Sequence, residues 1–294
     1  CHPGAGTRFT ISPVHVLADE TPNVVAYWIR AIYIPLIWVT VIGMLLHNLL
    51  DLVKKTRTYS LWRRRPPELC SIKERMSLPF RFTHALAAIS FAVLVVTGFA
   101  LKYPESWWAI PLQAWDNEFR GIVHRIAAVG LMGACVIHFI HLAVSSRARG
   151  QIAAFLPKTA DFREFTHRIS YNLGRRDDPP APVRVGYVEK VEYWAALWGT
   201  FVTAVTGLIL WFENFTLTWL PGWVPEAATI LHFLEAILAT LAILIWHFYS
   251  VMLDPAVYPM DMTWLTGKPP FSRAEERDEV IYEDDKESGD NEVD

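Results

Sequence analysis

The sequence has few charged residues and lacks several motifs that are typical of catalytic sites. Only 19% of its 294 residues are charged, and the net charge of −3 argues against a nucleic-acid partner, which would require a basic face. Cys70 and Cys135 are not spaced as a metal-ligand pair. The chain also lacks a glycine-rich phosphate loop and a nucleophile motif, so nucleotide binding and hydrolysis have no support.

What the chain does have is long apolar segments. Hydrophobic residues make up 52% of it, and five continuous blocks are long enough to cross a bilayer core of about 30 Å as helices. The blocks are 24–53, 84–103, 121–144, 193–212 and 227–253. They do not alternate as barrel strands do, and a helix satisfies all of its backbone hydrogen bonds within the segment. The sequence therefore predicts an all-α integral membrane bundle with five transmembrane helices.

The basic residues predict how the helices are oriented. Segments 54–83 and 145–192 carry nine Lys or Arg residues each, whereas segments 104–120 and 213–226 have only Arg120 between them and are rich in Trp. Because Lys and Arg stay on the cytoplasmic side and Trp concentrates at the interfaces, we expect the first two segments in the cytoplasm. The N-terminus is then periplasmic and the C-terminus cytoplasmic, in a bacterial inner membrane protein in direct contact with lipid.

Both ends of the chain differ from the apolar middle. Residues 273–294 hold eleven acidic residues and three basic ones, so we expect the cytoplasmic tail, 256–294, to be partly disordered. The chain begins with Cys1 and not with Met, which leads us to expect a preceding segment in the gene product.

Histidines are the most informative residues in the spans. Seven of the ten lie within the apolar helices or at their ends: His47, His84, His124, His138, His141, His232 and His247. A single intramembrane histidine is as often an interhelical hydrogen-bond partner as a functional group. Seven such costly side chains in one bundle indicate a functional site.

Spacing and orientation assign four of these histidines to two depths. His232 and His247 are 15 residues apart, which is about 22 Å along an α-helix, and their directions differ by about 60°. His232 then lies near the outer face with His124, and His247 lies near the inner face with His84. Two bis-histidine sites at two depths predict two b-type haems.

Alternatives to this ligand set remain open. His138 lies 14 residues after His124, so spacing alone also allows it as the inner ligand in place of His84. His138 and His141 form an H-x-x-H pair, which keeps a metal transporter among the hypotheses. A catalytic zinc site fits less well, since it would need three ligands at one depth.

A resemblance to a known family favours His84. The segment beginning Arg81-Phe-Thr-His84 and ending Val96-Thr97-Gly98-Phe99 resembles the R-x-x-H-W and T-G elements of the cytochrome b subunits of membrane formate dehydrogenases and nickel-iron hydrogenases. The similarity covers about residues 75 to 255. It implies an inner-side haem ligand at His84, a second at His124, and two more at His232 and His247.

The chain departs from that pattern at two points. Ala85 stands where the family has Trp, and the helix at 24–53, with His47, is additional to a four-helix core at 84–255. Outside these helices we expect a cytoplasmic basic loop at 54–83 and, at 1–23, the periplasmic end of a c-type haem segment.

The N-terminal segment suggests a further cofactor. Cys1-His2 is similar to the end of a C-x-x-C-H attachment motif for haem c, with His2 as the proximal ligand and His15 as a candidate distal ligand. Such chains resemble inner-membrane multihaem cytochromes in which a periplasmic c-type domain is fused to a cytochrome b. A lipidated Cys1 is the competing interpretation.

Function follows as a hypothesis from these cofactors. The resemblance implies electron transfer between menaquinone or ubiquinone and periplasmic c-type haems or another redox subunit, as the cytochrome b component of a quinol/quinone oxidoreductase. The inner-side groups available for quinone protons are His141, Glu192, Tyr193 and His47, and Glu235 is a buried acid near the level of His232. A haem-containing anchor without a quinone site is the second hypothesis, and a metal transporter is the third.

Overall fold

A computed structural model describes residues 24–58, 76–113, 117–181, 183, 185–255 and 257–268. These residues form helices joined by turns, and no strand occurs among them. Five helices are long and apolar enough to cross a membrane. The prediction of an all-α protein with five transmembrane helices is confirmed.

The spanning helices are numbered with the short ones in chain order. They are α1 (Val24–Thr58), α2 (Leu78–Lys102), α4 (Asn117–Val144), α7 (Tyr187–Trp211), and a fifth that starts as α9 (Trp223–Ala242) and ends in two π-helical segments, π1 (Ile243–His247) and π2 (Tyr249–Leu253). The short helices are α3 (Ile110–Gln113), α5 (Ser146–Ala153), α6 (Thr159–Asn172), α8 (Glu213–Trp219) and α10 (Thr263–Thr266).

Several helices extend beyond the apolar blocks. The second span begins at Leu78 and the fourth at Tyr187, six residues before each apolar block, and α1 continues to Thr58. Hydropathy marks only the depth of the hydrocarbon, whereas a helix keeps its backbone hydrogen bonds through the headgroup region. The region between the third and fourth spans contains α5 and α6, which have no long apolar run.

The chain divides into two compact units. Of the described residues, those at 24–44 and 195–242 form unit 1, and those within 45–194 and 243–268 form unit 2. Three of the helices, α1, α7 and the fifth span, contribute residues to both.

Close packing of α2 on α4 is the main helix contact in unit 2. A Cβ atom at position 130 would lie 2.5 Å from Oγ of Ser90, so a larger residue than glycine would force the Ser90 hydroxyl to move. Small residues at such crossings are how helices associate within lipid. The outward faces are apolar and open, as at Ile89 and Ile126, which are each 66% exposed.

The short helix α6 is tied to the start of α7 by charges. Nζ of Lys190 lies 2.6 Å from Oδ1 of Asp161, and the backbone N–H of Lys158 donates to the same carboxylate. Burial opposes ionisation of Asp161, but these hydrogen bonds outweigh it and lower its pKa. At Glu164, burial dominates and raises the pKa, although the carboxylate accepts a hydrogen bond from the backbone N–H of Tyr187.

Candidate functional site

His84 and His247 lie side by side in unit 2. Their ring centroids are 6.3 Å apart and the ring planes are inclined by 50°. His84 is in the second turn of α2, and its Nδ1 atom is buried without a hydrogen-bond partner in the part of the chain that the structure describes. His247 is the last residue of π1, where the wider turn changes the direction of the side chain. The angle of about 60° expected for a regular α-helix does not apply there.

This separation suits two ligands of one metal ion. A histidine–metal bond is about 2 Å long, so two imidazoles on opposite sides of an ion have centroids about 6 Å apart. A buried ring nitrogen without a partner is costly inside a membrane unless a ligand uses it. The two residues therefore fit an iron bound between them as in a bis-histidine haem.

A carboxylate orients the ring of His247. Oε2 of Glu192, on α7, lies 3.3 Å from Nδ1 of His247, and Ser250 donates a hydrogen bond to the other oxygen at 2.9 Å. A carboxylate can only accept from Nδ1–H, which leaves the lone pair on Nε2 of His247. Metal-bound histidines usually have such a partner on their second nitrogen.

His124 has an equivalent partner in a threonine. Oγ1 of Thr97 donates to the carbonyl of Val93 at 2.7 Å and lies 2.9 Å from Nδ1 of His124. Because the hydroxyl has one proton, it accepts from Nδ1–H, and Nε2 carries the lone pair. A Cβ atom at Gly98 would lie 3.2 Å from Cε1 of His124, so the glycine makes room for the ring.

The same arrangement recurs in unit 1 around His232. Oγ1 of Thr206 donates to the carbonyl of Val202 at 2.7 Å and lies 3.0 Å from Nδ1 of His232. A Cβ atom at Gly207 would lie 3.3 Å from Cε1 of the ring. Each Thr-Gly pair thus fixes the tautomer and position of one histidine on the next long helix. The sequence analysis quoted Thr97-Gly98 only as part of the family resemblance and gave neither threonine a role, although Val-Thr-Gly occurs at 96–98 and again at 205–207.

His138 is engaged differently from His84. Its Nε2 atom is 3.0 Å from the hydroxyl of Tyr193, and its ring contacts Phe80 at a centroid distance of 5.6 Å. The ring of His141 also packs against Phe80, at 5.0 Å. The ring of Phe155 lies 5.2 Å from that of Tyr193, so two histidines and a tyrosine lie among aromatic rings near the end of α4.

His47 belongs to a separate polar cluster at the end of α1. It is 8% exposed, its Nε2 atom is bonded to the hydroxyl of Tyr187, and its ring stacks on Trp246 at 4.8 Å. One turn further along α1, Asp51 accepts a hydrogen bond from Tyr249 at 2.7 Å. Of the four predicted quinone residues, the structure therefore places His47 with Tyr187, Glu192 with His247, Tyr193 with His138, and His141 against Phe80.

Glu235 is the buried acid of unit 1. It is 4% exposed and accepts a hydrogen bond from the hydroxyl of Tyr33, on α1, at 3.1 Å. A Cβ atom at Gly199 would lie 2.9 Å from its Oε1 atom, so this glycine admits the carboxylate. A phenol donor is a suitable partner for an acid in a membrane, because it satisfies an oxygen without adding a charge.

Two sets of predicted residues complete the survey of the site. Cys1, His2 and His15 lie outside the described residues. Within the ranges that the structure describes, no three His, Cys, Asp or Glu residues group as a metal site, so the H-x-x-H pair of His138 and His141 has no third ligand of these types.

Five helices that can span a membrane, with several histidines inside them, are features of membrane cytochromes. The chain matches the prokaryotic cytochrome b561 family over residues 75–259, more than half of its length, and it belongs to that family. This confirms the membrane cytochrome b family that the histidine pattern resembles. No curated protein matches the chain. The protein is thus an integral inner-membrane protein of a family that binds haem b and transfers electrons across the membrane.

Proposed function

We propose that the protein transfers electrons through two b-type haems between a menaquinone or ubiquinone pool and periplasmic c-type haems or another periplasmic redox subunit. It would act as the cytochrome b component of a quinol/quinone oxidoreductase. The observation that carries the proposal is the approach of His84 to His247, with their ring centroids 6.3 Å apart. Bound there, the haem supplies reversible one-electron chemistry at iron.

His84 and His247 are the proposed ligands of the inner haem. His84 has a buried ring nitrogen without a partner, whereas Nε2 of His138, the other candidate, is already bonded to Tyr193. Glu192 holds His247 in the tautomer that a metal requires. These contacts support His84 over His138 independently of the family resemblance.

His124 and His232 are the proposed ligands of the outer haem. Each donates its Nδ1–H to a threonine and so presents Nε2 to a metal. The two residues belong to different units, and their pairing rests on the membrane depth derived from the sequence. The matching Thr-Gly environments support a shared role.

The Lys and Arg residues of segments 54–83 and 145–192 support a cytoplasmic position for the level of His84 and His247. The N-terminus is then periplasmic, where Cys1 and His2 would end a c-type haem motif, with His15 as the distal ligand. A haem c at this position would accept electrons from, or donate them to, the outer b haem.

The cytoplasmic side is also where we place the quinone. Two-electron quinone chemistry requires groups that donate or accept protons, and His141, Glu192, Tyr193 and His47 are such groups on this side. The hydrogen bond between Tyr193 and His138, beside the rings of Phe80 and Phe155, offers a donor pair within an aromatic environment. Flat aromatic ligands pack well on such rings.

Quinol reduction of the haems tests this function. A reduced short-chain quinol is added without oxygen to the purified full-length protein in detergent, and the b-type absorption bands are followed. We expect the quinol to reduce the b-type haems. In Tyr193→Phe the rate of haem reduction should fall about tenfold or more, because a positioned proton-transfer group accelerates such a reaction by at least that factor. Tyr171→Phe is the matched control, because the ring of Tyr171 contacts Lys54 and, among the described residues, no histidine contact is seen for it.

Other results would indicate the remaining hypotheses. Haem bands that no quinol changes would show a haem-containing anchor without a quinone site. Stoichiometric metal without a Soret band would show metal transport and would contradict the proposal.

A further inference from the structure

One face of α2 carries three buried polar atoms that the protein itself does not satisfy. Oγ of Ser77, Nε of Arg81 and Nδ1 of His84 have no hydrogen-bond partner among the residues that the structure describes. Ser77 is the residue just before the helix, and the three positions are spaced i, i+4 and i+7, which places them on the same helix face. Buried polar atoms are normally bonded, so this row indicates a ligand that bonds to it.

Ser77 is not used in the ordinary way for its position. It is the N-cap residue of α2, where a serine hydroxyl usually accepts a hydrogen bond from a backbone N–H of the first turn. No such bond is present, and its Oγ atom is buried without a partner. The hydroxyl is therefore available as a donor to something other than its own helix.

Arg81 is a cation without a counter-charge in the described ranges. Its Nη2 atom donates to the carbonyl of Leu265 on α10, and none of the ion pairs in those ranges includes it. The C-terminal segment lies beside the start of α2, because Gly267 accepts a hydrogen bond from the backbone N–H of Met76, two residues before the helix. Arg81 is half-buried, and its Nε atom is buried without a partner among the described residues, which favours an anion beside it.

The nearest functional group on this face is His84, one turn after Arg81. Trp264 of α10 lies beside the ring of His84, at a centroid distance of 6.2 Å. A b-type haem carries two carboxylate side chains, and an arginine with a hydroxyl is a suitable donor set for a carboxylate. We propose that Ser77 and Arg81 form an anion subsite that binds a carboxylate of the haem held by His84. This inference rests on the proposed pair of His84 and His247.

Charge removal at Arg81 tests the subsite. The full-length protein with its haems is purified, and the midpoint potential of each b haem is measured by redox titration. In Arg81→Gln the loss of a nearby cation makes reduction less favourable, so we expect the reduction equilibrium constant of the inner haem to fall about tenfold, which is about 59 mV for one electron. The outer haem keeps its potential.

Two further variants keep the result interpretable. Arg149→Gln is the matched control, because Arg149 also donates to backbone carbonyls in unit 2, those of Leu142 and Ala143, but does so at the start of α5. Arg81→Lys keeps the positive charge, so the inner haem should stay bound and its potential should fall less than in Arg81→Gln. This variant still tests the subsite if Arg81→Gln loses the haem. Equal potentials in Arg81→Gln, Arg149→Gln and the parent protein would overturn the subsite.

His84→Ala separates this inference from the proposed haem ligands. If His84→Ala loses one haem while Arg81→Gln leaves both potentials unchanged, the subsite is wrong and the ligand pair stands. If His84→Ala retains both haems, the ligand pair itself is wrong, and with it the basis of the subsite.

Discussion

Glu192 gives the sharpest prediction about the inner haem. Its carboxylate oxygen lies 3.3 Å from Nδ1 of His247, on the side of the ring opposite the proposed metal position. A negative charge there stabilises the oxidised iron more than the reduced iron, because oxidation leaves one more positive charge on the metal. Glu192→Gln removes the charge but keeps an oxygen acceptor, so the midpoint potential of the inner haem should rise.

The size of the effect follows from the distance. Adding the width of the imidazole and a bond of about 2 Å places the carboxylate about 7 Å from the metal, which corresponds to about 2 kcal/mol at an effective dielectric constant of about 20. The Glu192 side chain is 22% exposed, so water and salt weaken this interaction. Allowing for that screening, we expect the midpoint potential of the inner haem to rise by about 50 mV. For a one-electron reduction, about 59 mV corresponds to a tenfold change in the equilibrium constant.

Spectroelectrochemical titration of the purified protein measures both haem potentials at once. Glu189→Gln is the matched control, since Glu189 lies near the start of the same helix and accepts a hydrogen bond from the backbone N–H of Gly186. The reasoning is refuted if Glu192→Gln leaves both potentials within error of this control, or if it lowers the inner one.

Two further predictions concern other parts of the chain. Thr206→Val removes the acceptor for Nδ1–H of His232 and leaves that group buried without a partner. The outer haem should therefore be lost at a lower temperature, by an amount corresponding to about 1 kcal/mol of stability. A thermal melt followed at the Soret band tests this, and an unchanged melting temperature contradicts it. Asp161→Asn should lower the melting temperature at pH 7 because the ion pair with Lys190 is lost. Because the pKa of Asp161 is lowered in the folded state, the carboxylate stabilises the fold above the unfolded-state pKa of about 3.9, and this stabilisation disappears as the pH falls through the folded-state pKa. A difference in melting temperature between Asp161→Asn and the parent protein that persists at the lowest pH would contradict this.

The spans were predictable because lipid imposes a simple requirement. A helix must be apolar over about 20 residues to cross the bilayer, and that pattern is visible in the sequence. The helices α5 and α6 follow no such rule. They are held by specific contacts, such as Lys190 to Asp161 and the indole N–H of Trp194 to the carbonyl of Phe155, which apolar blocks do not reveal.

The histidines of the candidate site could be selected from the sequence, and the groups hydrogen-bonded to them could not. Intramembrane histidines stand out because they are costly in lipid, which is how His84 and His247 were found. The role of Glu192 depends on where α7 and π1 meet, and a π-helical turn has no clear sequence signal. Thr97 and Thr206 could have been found, since each precedes a glycine in a repeated Val-Thr-Gly segment.

The central claim is that His84 and His247 bind one b-type haem while His124 and His232 bind a second. Pyridine haemochrome spectra of the purified full-length protein and of its His84→Ala and His138→Ala variants test this most directly, because they count haem b per chain and distinguish it from haem c. The account predicts two haem b per chain in the parent and in His138→Ala, and one in His84→Ala. Two in His84→Ala with one in His138→Ala, or a single haem b in the parent, would contradict it.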